Sequence, residues 1–262
     1  MTKRSFLIVV WALSIIMLKT QCGMAQFSID LETGAGFVTQ NDASSSWKNS
    51  NGELNGTDGT QYSYKTDFKN PAKPVIRFRA SYGFGRTKRH LISFLAAPLQ
   101  YKAKGSFQQP VTFNSQVFAP GVETEGYYQF NGYRLTYRFL IKNTEKLRLG
   151  VGLTLNLRDA EFSLKQGSLY ERNYNRGVVP LLNTYLKYHL GGHVYGLVDG
   201  DIFYIDNSGG AIDYLGGLQY DLNGKAGIKL GYRVFSGVGS EKGNVYNKLL
   251  AQSIIVGGVF QF

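Results

Sequence analysis

The chain closes with Ile254-Ile255-Val256-Gly257-Gly258-Val259-Phe260-Gln261-Phe262. Successive side chains of a β-strand point to opposite faces, so this stretch collects its apolar residues on one face. Counted back from the C-terminus, that face holds Phe262, Phe260, Gly258, Val256 and Ile254. The ends of soluble domains usually fray into water, which an apolar strand of this kind would not tolerate. We therefore expect the last strand to pair within a closed sheet whose outer face contacts hydrocarbon.

The first 25 residues have the pattern of a cleaved secretory signal. A basic start, Met1–Arg4, precedes an apolar run, Phe6–Leu18, and small residues follow up to Ala25. The apolar run is shorter than the roughly 20 residues that a membrane-spanning helix requires. We therefore predict that residues 1–25 are removed and that residues 26–262 form one domain. An amphipathic N-terminal helix is the alternative.

Cys22 is the only cysteine, and cleavage after Ala25 would leave a chain without disulfides. Lipoprotein processing at Cys22 is a second alternative, but the preceding residues are bulky and polar. The chain holds 29 Lys and Arg residues against 18 Asp and Glu residues. These charges are scattered singly rather than gathered in a run or stripe, so we expect no nucleic-acid partner.

About ten runs of alternating polarity follow one another, separated by turn residues. The mean hydropathy of −0.19 excludes a helical membrane protein. It permits a membrane barrel, because only every second residue of a barrel strand faces lipid. The predicted strands are Gln26–Thr39, Pro74–Phe84, His90–Lys104, Gly126–Ile141, Leu147–Phe162, Val178–Leu190, His193–Ile205, Ala211–Leu222, Lys225–Val238 and a last strand after Tyr246.

The predicted connections alternate between long and short. Long connections follow the odd-numbered strands, and short turns such as Asn223-Gly224 follow the even-numbered ones. Short periplasmic turns and longer extracellular loops are typical of outer-membrane barrels. The sequence therefore predicts an all-β fold, a transmembrane antiparallel up-and-down β-barrel of about ten strands, with eight or twelve as alternatives. A secreted soluble sandwich is the rival architecture.

The fifth predicted strand separates two faces most clearly. Leu147, Leu149, Val151, Leu153, Leu155 and Leu157 alternate with polar and small residues. Six aliphatic side chains on one face would cause aggregation in water, whereas a bilayer solvates them. The other face would line the lumen. The residues predicted to form a lumen charge network are Asp30, Glu32, Arg77, Arg79, Arg134, Arg138, Arg148, Arg158, Lys187, Asp199, Asp201, Asp213, Asp221, Lys229 and Arg233.

Charges in a narrow lumen need partners, because an unpaired buried charge costs several kcal/mol, on the order of the desolvation penalty. Either a lattice of salt bridges fills the lumen, or the charges line a pore. If water passes, the arginines of strands four and five favour anions. The expected neighbours are Asp30 and Glu32 with Arg77 and Arg79, Asp199 and Asp201 with Lys187, and Asp213 and Asp221 with Lys229 and Arg233.

Motifs for chemistry are sparse. There is no metal-ligand spacing and no phosphate-binding glycine loop, so we expect no metal, no cofactor and no catalytic residues. His90, His189 and His193 adjoin short turns, far from an outer-leaflet substrate. The segment Asn41–Gln61 is polar, whereas Gly105–Glu125 carries enough apolar residues to form a hairpin or a lid. Basic residues of the loop Lys165–Arg176 are candidates for binding lipopolysaccharide phosphates.

The C-terminal pattern of Gly257, Phe260 and Phe262 resembles the assembly signal of bacterial outer-membrane barrels. Together with the leader, it makes the chain similar to small outer-membrane β-barrel proteins of the porin-like and OmpA/OmpX-like group. The resemblance implies insertion by the barrel assembly machinery and contact with outer-membrane lipid and lipopolysaccharide. It leaves the activity open. We expect a non-enzymatic narrow pore or structural, surface-binding protein for a solute or surface ligand not yet identified, with a membrane-embedded lipid or peptide hydrolase as the alternative.

Overall fold

The computed structural model of the protein describes residues 26–46, 59–205, 209–239 and 245–262. The predicted signal, residues 1–25, and the middle of the polar segment Asn41–Gln61 lie outside the described residues. No described helix is long and apolar enough to cross a bilayer. The strands are β1 (Gln26–Ser45), β2 (Tyr62–Ser63), β3 (Lys73–Phe84), β4 (His90–Ala97), β5 (Gln100–Gly105), β6 (Val111–Phe113), β7 (Gln116–Phe118), β8 (Thr124–Asn143), β9 (Leu147–Gln166), β10 (Leu169–Gly191), β11 (Val194–Ile205), β12 (Gly209–Asp221), β13 (Ala226–Gly239) and β14 (Val245–Gln261).

Ten strands close into one antiparallel ring in the order β1, β3, β4, β8, β9, β10, β11, β12, β13 and β14. The ring is completed by β14, which pairs with β1 from Ser28 opposite Gln261 to Ser45 opposite Val245. β5 continues β4 and pairs with the far half of β8, while β6 and β7 form a hairpin of their own. The predicted all-β, ten-stranded, up-and-down barrel is confirmed. The pairing of the last strand with the first supplies partners for the backbone of both.

One end of the ring, called here the short-turn end, gathers the tight connections. One of them is the predicted Asn-Gly turn. Gly224 adopts φ 73°, and the Asn223 Oδ1 accepts hydrogen bonds from the backbone N–H groups of Lys225 and Ala226 at 3.1 and 2.9 Å. The first described residue, Gln26, and the last, Phe262, lie at this same end.

At the opposite end, the prediction of a loop over Lys165–Arg176 is wrong. β9 and β10 continue as a paired ribbon up to Gln166 opposite Leu169, and Gly167 turns the chain with φ 58°. The alternation of side chains simply persists beyond the apolar belt, with polar residues on the outer face. The length of the connection is therefore taken up by strand rather than by loop.

The outer face of the ring is apolar, as predicted. Leu153 is 68% exposed and Leu155 is 53% exposed, while Thr154 between them is fully buried. The aromatic residues Tyr133 and Tyr137 lie on the same outer surface. Water would not solvate a continuous belt of this kind, and hydrocarbon would.

A lid covers part of the lumen at the end opposite the short turns. We define the lid as residues 59–68 together with the hairpin of β6 and β7. Its aromatic rings pack on one another and on the inner wall: Tyr64 stacks with Phe68 at 5.4 Å, and Phe113 contacts Phe162 at 5.7 Å. Burial raises the pKa of the Tyr64 phenol well above its ordinary value. The phenol therefore stays a donor, and it bonds the backbone oxygen of Tyr127 at 2.9 Å. The segment Gly105–Glu125 thus forms both a hairpin and a lid.

We expect Phe113→Ala to release the lid. Phe113 is fully buried, and removing its ring leaves a cavity that costs about 3–5 kcal/mol. Limited chymotrypsin digestion of protein in lipid vesicles should then cut the β6–β7 region faster than in the wild type. The control is Val117→Ala in the same hairpin, because Val117 is exposed. Equal cleavage rates for the two variants would contradict the packing described.

Candidate functional site

The lumen is crossed at mid-height by two groups of ion pairs, called here together the ion-pair layer, which the Asn183 amide links by hydrogen bonds. Inward-facing positions of six strands contribute to it, because the period of two places every second residue inside. The layer joins five carboxylates to six cations. Its members are Asp30, Glu32, Arg77, Arg79, Arg134, Arg138, Asp199, Asp201, Asp213, Lys229 and Arg233.

Asp213 is the centre of the layer. Its Oδ2 lies 2.6 Å from the Arg134 Nη1 and 3.0 Å from the Arg77 Nη2, and its Oδ1 lies 2.6 Å from the Arg233 Nη1. These four residues belong to four different strands and are nearly inaccessible to solvent. Arg134 also reaches Asp201 at 2.8 Å. One carboxylate therefore ties opposite parts of the wall together.

Asp199 makes the longest crossing. It pairs with Arg79, and its Oδ1 lies 2.6 Å from the Arg138 Nη2. Arg79 is on β3 and Asp199 is on β11, five strands apart in either direction around the ring of ten. The Arg79 and Asp199 side chains together span the full diameter and therefore obstruct the lumen.

Lys229 and Arg233 complete the layer next to the β1–β14 seam. The Lys229 Nζ lies 2.6 Å from Asp30 and 2.7 Å from Glu32, and the Arg233 Nη2 lies 2.8 Å from Glu32. Gly257 stands in register between Glu32 and Lys229. A Cβ at Gly257 would lie 2.6 Å from the Lys229 Cε, so the glycine leaves room for this crossing.

Several ion pairs in the structure differ from the neighbouring charges that the sequence predicts. Glu32 and Arg77 do lie opposite each other in register, and so do Asp30 and Arg79. Asp199 and Asp201 do lie on the strand next to Lys187, but they pair with arginines of β3 and β8 instead of with it. Adjacency of strands cannot reveal such pairs. The pairing is Lys187 with Asp221, Asp199 with Arg79 and Arg138, and Asp201 with Arg134.

Four residues of the predicted network lie outside the layer. Lys187 and Asp221 form a separate pair at 3.3 Å towards the short-turn end. Arg148 and Arg158 belong to no ion pair within the described part of the chain, although Arg158 donates to Asn175. Of the arginines expected to form an anion-favouring wall, only these two lack a carboxylate.

Uncharged side chains that the sequence did not single out hold the layer in place. Asn183 accepts a hydrogen bond from the Arg138 Nε at 2.7 Å and donates to the Asp201 Oδ1 at 2.8 Å. The Thr154 hydroxyl also donates to that oxygen, at 2.8 Å. The guanidinium of Arg138 lies 4.4 Å from the centre of the Tyr185 ring. The alternation along β10 would have placed Asn183 inside, but its cross-lumen contacts depend on the closed ring.

The ion-pair layer separates two cavities. The upper cavity, on the lid side, has a volume of about 450 Å³ and is bordered by Arg134, Arg158, Asp201 and Asp213. The lower cavity, on the side of the short turns, has a volume of about 350 Å³. Its lining is rich in cations: Arg79, Arg86, Lys88, Arg138, Arg148 and Lys187.

The histidines lie at the short-turn end. The His90 Nδ1 is 2.8 Å from the Tyr137 hydroxyl, and the His189 Nε2 is 2.8 Å from the backbone oxygen of Gly192. His193 contacts the ring of Tyr220 at 5.6 Å. Within the described residues, no group of three or more His, Cys, Asp and Glu side chains could hold a metal ion.

The remaining predicted residues lie at the two ends of the barrel. Lys165, Arg172 and Arg176 are exposed on the β9–β10 ribbon, where Arg176 lies 3.4 Å from Asp159. Phe260 and Phe262 are exposed on the outer face, and the backbone N–H of Phe262 donates to the Phe27 oxygen at 2.9 Å. The role of Gly257, Phe260 and Phe262 in assembly stays a prediction.

Comparisons with known proteins place the architecture. No protein-family model and no curated protein sequence matches the chain. The outer membrane protease OmpT from Escherichia coli is similar in structure, with a TM-score of 0.53 and 11% identity over 92% of this chain and 98% of that one. Ail, the attachment invasion locus protein of Yersinia pestis, matches with a TM-score of 0.39 and 12% identity over 91% and 99% of the two chains.

The translocator domain of the autotransporter NalP from Neisseria meningitidis matches with a TM-score of 0.43 and 12% identity over 99% and 96%. At such identities only the fold is shared, and function can differ widely within one fold. Of these solved structures, OmpT is by its name an outer membrane protease. With its closed ring of ten antiparallel strands, the chain has the fold of the bacterial outer-membrane β-barrels.

Proposed function

We propose that the protein is a barrel of the bacterial outer membrane that is non-enzymatic and has a closed lumen. It binds a ligand at the end of the barrel opposite the short turns. The observation that carries the proposal is the bridge from Arg79 to Asp199 across the full diameter of the ring. Around it, Arg134 and Arg138 add further crossings to Asp201 and Asp199. A lumen obstructed by paired, desolvated charges does not conduct ions, because separating a buried pair leaves each charge without the partner that compensates its desolvation.

Localisation in the outer membrane, after export by a cleaved signal, is part of the proposal. The apolar outer belt and the shared fold support it. Insertion by the barrel assembly machinery, and contact with lipopolysaccharide through Lys165, Arg172 and Arg176, remain proposals that rest on the resemblance of the sequence and on the exposure of these residues.

Single-channel recording in planar lipid bilayers tests the closed lumen. We expect no steady ion steps from the wild type. A variant with residues 109–119 replaced by a Gly-Ser linker should stay silent, because the ion-pair layer lies below the lid. A fourfold variant, Arg134→Ala, Arg138→Ala, Asp199→Ala and Asp201→Ala, keeps the net charge and should conduct. Steady conductance by the wild type would show that the protein is a pore.

The proposed absence of enzymatic activity has its own test. The three histidines lie at the short-turn end, away from any outer-leaflet substrate. We expect identical lipid A and phospholipid profiles in cells that express the wild type, the His90→Ala, His189→Ala, His193→Ala variant, or no protein. A lipid product that depends on the wild type and disappears in the variant would establish a hydrolase instead.

A further inference from the structure

The barrel wall is uneven in height. β8, β9 and β10 have 20, 20 and 23 residues, whereas β11, β12 and β13 have 12, 13 and 14. The ladder between β10 and β11 ends at Leu182 opposite Ile202. Among the described residues, the stretch Leu169–Leu181 of β10 pairs on one side only, with β9. The wall is therefore open beside the upper half of β10.

The residues that border this opening are typical of a free strand edge. Pro180 lies in the stretch that pairs only with β9, and proline has no N–H to offer a second neighbouring strand. On the far side, beyond β11, β12 begins with Gly209, Gly210 and Ala211, small residues that border the upper cavity. The opening is thus built into the chain on both sides.

The opening begins at the upper edge of the apolar belt. On β9 the apolar belt ends at Leu157, ten residues from the start of the strand at Leu147. On β11, Tyr204 is likewise ten residues from the start of its strand at Val194. Tyr204 is 74% exposed on the outer face, and Val178 across the opening is 63% exposed. A molecule at this level has hydrocarbon below it and lipid headgroups around it.

The upper cavity lies directly behind the opening. Its apolar lining includes Phe130, Phe162, Phe203, Phe235 and Leu181. A volume of about 450 Å³ falls in the range of small-molecule sites, which are mostly apolar with a few placed polar groups.

Unpartnered polar atoms converge on the inner wall of this cavity. The Asn156 side chain is 5% exposed, and its Oδ1 has no hydrogen-bond partner. The Nε atoms of Arg134 and Arg158 are buried and also lack partners. A Cβ at Gly132 would lie 3.3 Å from the Asn156 Oδ1 and 3.8 Å from the Arg134 Nε, and Gly132 stands opposite Arg158 in register.

These groups call for an anionic partner. Arg158 is partly buried and has no carboxylate in the described chain, and a guanidinium binds oxyanions well. The Asn156 amide carries an NH₂ donor beside its oxygen, so it can also donate to an oxyanion. The polar end of a ligand would therefore lie at Arg158 and Asn156, and its apolar part would lie among the phenylalanines.

We propose that the upper cavity binds a single-chain amphiphile with one anionic headgroup, of the fatty-acid type, which enters sideways from the outer leaflet between β10 and β11. The inference rests on the proposed function, because it names the ligand of the closed barrel. The Arg158 guanidinium binds the headgroup, and the chain contacts the aromatic lining.

Binding is tested with the protein in phosphatidylcholine nanodiscs, using the fluorescence of cis-parinaric acid and its displacement by palmitate. We expect saturable binding by the wild type and a loss of about tenfold or more in affinity for Arg158→Met, which removes a charge-assisted hydrogen bond. Arg148→Met is the matched control, because Arg148 is an inward cation of the same strand in the lower cavity. Its affinity should equal that of the wild type.

Competing ligands separate the parts of the proposal. Butyrate and dodecyltrimethylammonium should fail to displace the probe, since one lacks the chain and the other the anionic head. Displacement by either, or equal affinities for Arg158→Met and the wild type, overturns the assigned ligand class. Val178→Trp places a bulky side chain on the outer face beside the opening and should slow loading, and an unchanged rate overturns the lateral route.

The two proposals fail in different ways. A silent barrel that does not bind palmitate ends the inference about the ligand and leaves the closed lumen standing. A conducting wild type ends the closed barrel, whatever the binding assay gives.

Discussion

Asp213→Ala should destabilise the barrel by about 3–5 kcal/mol, the usual result of removing one partner from a buried ion pair. Asp213 is 2% exposed, and its carboxylate contacts Arg77, Arg134 and Arg233. Without it, three guanidiniums from three strands face one another in a site with little water. The measurement is urea unfolding in lipid vesicles, followed by the heat-modifiable electrophoretic mobility of the folded barrel.

The control for this prediction is Asp221→Ala. Asp221 is also an inward aspartate of β12, but its side chain is 23% exposed and its one ion pair, with Lys187, spans 3.3 Å. Asp221 is partly hydrated but Lys187 is 6% exposed, so we expect a smaller loss than for Asp213, of about 1–2 kcal/mol. If both variants lost the same stability, Asp213 would not be the centre of the layer.

Gly34→Val should prevent normal closure of the ring and cost about 3 kcal/mol, at the upper end of the range for overpacking. Gly34 lies opposite Ile255 in the seam between β1 and β14. A Cβ at Gly34 would lie 2.0 Å from the backbone oxygen of Ile254. Because that atom belongs to the backbone of the partner strand, the clash is relieved only by separating the two strands.

Folding yield into lipid vesicles measures this effect, with Gly216→Val as the control. Gly216 lies on β12, and a Cβ there meets nothing within 4 Å. We expect the control to fold in wild-type yield and the seam variant to remain largely unfolded. Equal yields would show that the seam tolerates a side chain at Gly34.

The alternation of the sequence was sufficient to predict the ring. On β9 the apolar residues from Leu149 to Leu157 lie on one face, and Thr154 lies with the other inward residues on the opposite face. This period of two identifies the segment as a strand and shows which of its faces points outward. The paired extension of β9 and β10 was missed, because above the belt the outer face becomes polar while Phe162 and Leu164 on the inner face of β9 are buried, so the contrast that marks the belt is reversed. The turn residue Gly167 was the one local signal for it.

The candidate site was predictable in membership but not in pairing. Every member of the ion-pair layer occupies an inward position that alternation reveals. Which charges meet depends on the diameter and stagger of the closed ring, and the sequence states neither. Arg79 and Asp199 are 120 residues apart in the chain and five strands apart in the ring.

The sequence by itself determined that the outer face of this protein contacts hydrocarbon. The alternation of apolar and polar residues, with its period of two, decides which side chains point outward. Only the tertiary structure decided what the inside does. The ion-pair layer, the two cavities and the opening beside Pro180 arise when strands distant in the chain become neighbours or stand opposite one another. Contacts of that kind are a property of the closed ring and are written in no local stretch of residues.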